Sequence, residues 1–327
     1  MSKGNGSEND VDPLDDAARA AWLYYIGGLT QDQIAKELGV SRQRAQRLVS
    51  KAIEKGLIHV RLEHKVAGCL DLEVALKRKF NLRLCRVTLS LPPGADPVGS
   101  IAPTAAAEME RFLSASQPLV MALGTGRTLR ATVDELRTME CEHHKIVSLN
   151  GNIAPDGSAS YYDVIMRITD KVRARHFPMP LPVIVENAEE RAVLQSLKPV
   201  LRVSALARSA DVTFVGVGQM SDDAPLLKDG FISKRELTEL QRQGAVGEIV
   251  GWIYDQSGQY LEGGINTRVA GVRVNVTDER LACGIAAGSE KLPALEAALK
   301  GKLLNGLVTD EATASALLNQ TDKPIFS

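Results

Sequence analysis

The sequence predicts a two-part α/β protein, with a small all-helical N-terminal module followed by one large Rossmann-like domain. Three observations predict it. In the first sixty residues apolar side chains recur every three to four positions, broken by glycines and helix-capping residues. From about residue 67 short, continuously apolar runs alternate with helical ones, the pattern of a largely parallel sheet covered on both faces. Glycine-rich loops recur where those apolar runs end.

The chain of 327 residues, 44% hydrophobic and 24% charged, has room for a module and a domain. It contains no apolar run of about 18 residues, so no membrane span is expected. Residues 1–14 are polar and acidic, without the apolar core of a signal peptide, and are expected to be a disordered lead-in to a cytoplasmic protein. Cys69, Cys85, Cys141 and Cys283 are scattered and are read as reduced thiols. His143 and His144 form the one histidine cluster. Adjacent side chains on a regular element diverge, so no metal site is expected, and no motif calls for a cofactor.

Within the module, residues 15–26 are expected to be helical, burying Ala18, Ala21, Trp22, Tyr25 and Ile26, with Gly27 and Gly28 as the stop. Thr30 is a helix N-cap, Gln33 completes a capping box, and Leu29 and Ile34 form a hydrophobic staple. The second helix buries Ile34, Ala35 and Leu38. After a Gly39-Val40 turn, Ser41 caps a third helix ending near Gly56, with Ala45, Leu48, Val49, Ala52 and Ile53 inward. Its other stripe is Arg42, Gln43, Gln46, Arg47 and Ser50. Arginine and glutamine are the side chains that bond guanine and adenine edges bidentately.

The net charge is −1, yet residues 30–65 hold eight basic side chains (Lys36, Arg42, Arg44, Arg47, Lys51, Lys55, Arg61, Lys65). Four acidic ones (Asp32, Glu37, Glu54, Glu63) leave that segment at +4. A local basic face on a neutral chain suits a helix-turn-helix that binds operator DNA. The residues expected to face DNA are Thr30, Gln31, Ser41, Arg42, Gln43, Arg44, Gln46 and Arg47. The alternating run at residues 57–62 is a wing strand or a bridge onward. The module is taken as 15–62 and the second domain as 63–327.

In the large domain helices are expected at 69–80, 105–114, 233–242, 291–300 and 311–319. Strands are expected at 84–89, 118–123, 145–149, 181–186, 212–217, 248–254, 269–274, 281–286 and 303–308. Ligands of such sheets bind at strand C-terminal ends. Gly124-Thr125-Gly126-Arg127-Thr128 lies between a strand and a helix. Its glycines admit a close ligand, and the helix N-terminus, Thr125, Thr128 and Arg127 supply donors for phosphate. Gly218 and Gln219 end another strand. Asp255 offers an acceptor for sugar hydroxyls or closes an Asx turn. Lys291 either pairs with phosphate or is solvated. Nucleophile-elbow, Walker A, dinucleotide and zinc-protease motifs are absent, and no acid/base pair is identifiable from spacing.

The run "LTQDQIAKELGVSRQRAQRLVSKAIEKGLIHV", with "GTGRTL", "ADVTFVGVGQ", "GAVGEIVGWIYDQSG", "INTRV" and "GLVTDEATA" in that order, resembles the SorC family of bacterial sugar-binding transcriptional regulators. The resemblance implies a catalytically idle domain of the ribose-phosphate isomerase and glucosamine-phosphate deaminase type, sensing a sugar, sugar phosphate or polyol. It also implies assembly as a homodimer or homotetramer. Mapped here, residues 124–128 would hold phosphate, with Gly218, Gln219, Asp255 and Lys291 lining the pocket. Gly151-Asn152 stands where the family has a glycine pair, and Ser289 replaces a glycine near Lys291. The stretch "NGNIAPDGSASYYDV" is similar to a branch that handles sugar alcohols. The competing function is a sugar-phosphate isomerase or deaminase with an accessory helix-turn-helix.

Overall fold

The computed structural model describes residues 13–58, 66–153, 157–158 and 164–319. The chain divides into two compact units, Met1–His64 and Lys65–Ser327. The lead-in at 1–12 and most of the run at 57–62 lie outside the described residues.

The described residues of the first unit form three helices, α1 (Pro13–Tyr25), α2 (Gln31–Glu37) and α3 (Arg42–Glu54). The Thr30 side chain accepts the Gln33 N–H at 3.4 Å while the Thr30 N–H donates to Gln33 Oε1 at 2.8 Å, a complete capping box. Ser41 Oγ accepts the Arg44 N–H at 3.2 Å and starts α3. The core is made of Ala20, Ile34, Ala35, Ala45 and Val49, with Ala17, Ala21 and Ala52 beside it. The expected α1 stripe is corrected: Ala18 is exposed, and Trp22 and Ile26 are 58% and 67% exposed. Alanines at 17, 20 and 21 let α1 approach its neighbours closely, which turns the larger side chains outward. Ile53 is likewise exposed.

The second unit is a three-layer sandwich. In chain order it runs α4 (Ala67–Phe80), β1 (Leu84–Thr88), α5 (Val98–Leu113), β2 (Val120–Leu123), α6 (Arg127–Asp134), β3 (Met139–Ile153), α7 (Ile165–Ile168) and β4 (Val172–Pro182). There follow α8 (Ala188–Ser196), α9 (Lys198–Arg208), β5 (Val212–Gly216), β6 (Gly218–Gln219), α10 (Pro225–Lys228) and α11 (Lys234–Arg242). The last elements are β7 (Ala245–Ile249), β8 (Trp252–Asp255), β9 (Leu281–Ile285), α12 (Leu292–Lys300), β10 (Gly306–Asp310) and α13 (Glu311–Asn319).

Seven strands form one sheet, ordered β1-β10-β9-β5-β2-β3-β4, and every pairing is parallel. Strand side chains alternate between two cores. Met121, Leu123, Phe214, Cys283 and Ile285 pack with α5, α6 and α7 on one face. Ala122, Val215, Ala282 and Leu307 pack with α4, α9, α12 and α13 on the other. The chain steps outward from β2 through β3 to β4, then returns to β5 and steps the other way through β9 to β10. The switch point therefore falls between β2 and β5, where a doubly wound sheet opens its ligand crevice.

Three strand expectations need correction. Residues 248–254 are two strands, β7 and β8, joined at Val250-Gly251 with both φ angles positive (58° and 81°), the turn that matches hairpin twist. With β6 they form a separate antiparallel sheet. Residues 269–274 are extended but not laddered: Val269 bridges Ile184, and Val272 N–H donates to the Leu149 carbonyl. They are apolar because they cover the ends of β3 and β4. The strand expected at 181–186 lies mostly earlier, as β4. His143 and His144 do not diverge, because β3 changes register between residues 140 and 145. Their rings lie 3.9 Å apart, and each has a ring nitrogen on a carbonyl at the end of α5, Ala115 and Leu113.

Candidate functional site

A cavity of about 120 Å³ occupies the β2/β5 switch point. Residues 124–128 form one wall. Gly126 is the N-cap of α6 at φ 120°, a conformation suited to glycine, and it leaves the first N–H groups of the helix facing the cavity. Thr128 is buried in the lining and Thr125 Oγ1 accepts a 2.9 Å bond from Asn150 Nδ2. The Asn150 Oδ1 atom is buried without a protein partner, an acceptor open to a ligand hydroxyl.

Charged groups line the same cavity. Arg127 is exposed at the rim and pairs with Asp229 at 2.9 Å. Burial raises the Asp229 pKa, opposed by Arg127 and Lys228. Lys291, in the short 3₁₀ turn before α12, donates from Nζ to the Val217 carbonyl at 2.9 Å. Burial lowers its pKa, opposed mainly by Glu248. Glu248, on β7, accepts the Gly251 N–H at 2.7 Å, and burial raises its carboxyl pKa. A Cβ at residue 218 would overlap the Glu248 carboxylate, so glycine there lets that side chain cross the cavity floor. A helix N-terminus and cationic groups, with amide and carboxylate acceptors among them, suit a molecule bearing both phosphate and hydroxyls.

The structure thus brings together Gly124, Thr125, Gly126, Arg127, Thr128, Gly218 and Lys291. Gly151, Gln219 and Asp255 are not in the lining. Gly151 is buried in a β3 irregularity, where a Cβ would strike the Leu181 carbonyl. Asn152 follows it on β3. Gln219 spends its amide on the Asp223 carbonyl and the Ser221 N–H. Asp255 closes its own turn, accepting from the Ser257 N–H, the Ser257 hydroxyl and the Gln259 N–H at 2.7–3.0 Å. Sequence reasoning missed Asn150, Asp229 and Glu248. A carboxylate amid the apolar run at 245–254 was the available signal for Glu248.

On the first unit Arg42, Gln43, Arg44, Gln46 and Arg47 are exposed along α3. Arg42 lies 3.5 Å from Asp32 and Arg44 4.0 Å from Asp16, both exposed pairs that phosphate can displace at little cost. The hydroxyls of Thr30 and Ser41 act as caps, and Gln31 is half-buried. Among the described residues no group of three or more potential metal ligands clusters, and no helix is long and apolar enough to cross a membrane.

Residues 64–319 match the Sugar-bind family of sugar-binding domains, and residues 20–65 match the MarR family. The chain is 33% identical over 304 residues to the erythritol catabolism regulatory protein EryD of Brucella abortus, covering 93% of this chain and 96% of that one. It is 32% identical over 317 residues to the transcriptional regulator LsrR of Escherichia coli K12, covering 95% and 97%. The crystal structure of the full-length sorbitol operon regulator SorC of Klebsiella pneumoniae superposes with a TM-score of 0.69 at 25% identity, covering 96% of this chain and all of that one.

Proposed function

This chain belongs to the SorC family of sugar-binding transcriptional regulators, and we propose that it controls a polyol catabolic operon through a phosphorylated polyol held in the β2/β5 cavity. Its similar proteins are regulators rather than enzymes, and the chain is read as one: α3 reads the operator, and the second unit senses the effector. Two of the relatives are named for erythritol catabolism and a sorbitol operon, which supports a polyol over a ring sugar. A cytoplasmic homodimer or homotetramer, with one reading helix per half-site, fits the same reading.

The observation that carries the phosphate is the 124–128 loop: a glycine-started helix N-terminus, a buried threonine and an arginine converge on one cavity that Lys291 also lines. A charge-assisted bond is roughly twice as strong as a neutral one. Thr128→Ala and Arg127→Ala should therefore weaken a polyol phosphate far more than its unphosphorylated parent. Calorimetric titration of wild type and both variants with erythritol 4-phosphate against erythritol, and sorbitol 6-phosphate against sorbitol, tests this. Tight binding of a free polyol that survives both substitutions would remove the phosphate and leave the regulator. Turnover of either phosphate would favour the isomerase or deaminase.

A further inference from the structure

A second cleft, of about 630 Å³, shares no lining residue with the β2/β5 cavity. Arg191 and Gln195 of α8, Arg208 of α9, Trp252 of β8, and Arg273 and Asn275 of the extended segment line it, and none of the described residues lining it is acidic, although Glu262 lines the adjoining cleft that shares Arg191, Gln195 and Arg273. The Arg273 guanidinium sits 4.1 Å from the Trp252 ring centre and 4.6 Å from that of Tyr260; that of Arg191 sits 5.1 Å from Trp252. Stacking on aromatic faces leaves the guanidinium N–H edges to bond elsewhere.

Those edges are poorly used. Arg191 Nε is buried without a hydrogen-bond partner, and its Nη1 makes only a long 3.4 Å contact to the Thr267 carbonyl. The Trp252 indole N–H is also buried and unpartnered, on a residue only 3% exposed, as is the Tyr260 hydroxyl. Among the described residues neither Arg191 nor Arg273 pairs with a carboxylate. Burial, and then the repulsion of Arg273, lowers the Arg191 pKa. Buried donors of this kind are costly unless something accepts from them.

We propose that this cleft is a second anion site, which takes a phosphate- or polycarboxylate-bearing metabolite between the Arg191 and Arg273 guanidiniums. The planar forks suit bidentate bonds to an oxyanion, and Arg208 adds a third cation to the lining. Trp252 directly follows Gly251, which lines the first cavity, so one hairpin carries walls of both sites.

Trp22 and Trp252 are the only tryptophans, and Trp22 lies in the first unit. In a Trp22→Phe background Trp252 is therefore the sole indole reporter. Titration with inorganic pyrophosphate, and separately with citrate, at constant ionic strength should give a saturable change in its emission for at least one anion. Adding Arg273→Ala should raise the Kd tenfold or more, Arg273→Lys should recover part of the loss, and Arg127→Ala should leave it unchanged. Arg273 is exposed, and circular dichroism checks that its variants fold. Absence of a saturable response to both anions overturns the site. So does equal weakening by Arg127→Ala, which would assign the response to the first cavity. If Arg273→Ala instead changes the sedimentation coefficient of the full chain while neither anion binds, the cleft is an intersubunit contact and the proposal fails.

Discussion

Arg127 and Asp229 set the charge at the mouth of the candidate effector site. Their 2.9 Å pair holds the guanidinium beside a carboxylate whose ionisation burial already opposes. An incoming phosphate must compete with that carboxylate. Asp229→Asn should accordingly tighten a polyol phosphate severalfold in calorimetry and leave the free polyol nearly unchanged. Asp255 behaves oppositely. Burial raises its pKa, but the Ser257 and Gln259 donors outweigh that and hold it below 3.8. A depressed carboxylate pKa contributes stability above the unfolded value, and that contribution is lost as pH falls through the folded one. Asp255→Ala should thus cost on the order of 1 kcal/mol in denaturant melts at pH 7. The gap should close in acid below the folded pKa, with effector affinity unaffected at neutral pH. A sequence offers an aspartate between a strand and a glycine, but not whether its acceptors face a ligand or its own turn.

At the scale of elements, what local chemistry specifies was legible. The Thr30 box and the Ser41 cap are contacts between residues three apart, so spacing alone reveals them. Thr30→Ala should lower the stability of the N-terminal unit by about 1 kcal/mol and weaken operator binding while sparing the effector. Equal loss in both assays would contradict the division of labour. Elements defined by distant partners were less legible. The β7–β8 turn escaped notice because Val250, a β-branched residue, occupies a positive-φ position normally filled by asparagine or glycine. Trp22 and Ile26 read as core because periodicity reports a stripe without saying which stripe a small partner can approach. Gly218 is decided by a side chain thirty residues on: Gly218→Ala should displace Glu248, seen as loss of effector affinity with the fold retained by circular dichroism.

For the whole molecule, alternation of apolar strands with helices was sufficient to specify a parallel sheet with two covered faces. The order of its strands, and with it the switch point, depends on which crossovers reverse, and no single segment encodes that. The loop after β2 was nonetheless identifiable as a site, because its chemistry is local. Its partners Asn150, Asp229 and Glu248 reach it only through the topology. Occupancy of this cavity should alter DNA binding by α3. Fluorescence anisotropy of labelled DNA from upstream of the protein's own transcription unit measures this directly, with and without polyol phosphate. Wild-type affinity should change by about fivefold or more, the lower end of ordinary allosteric coupling. The Arg127→Ala/Thr128→Ala double variant should bind the same DNA equally well and ignore the ligand. An unchanged wild type, or a double variant that responds as the wild type does, would contradict the account.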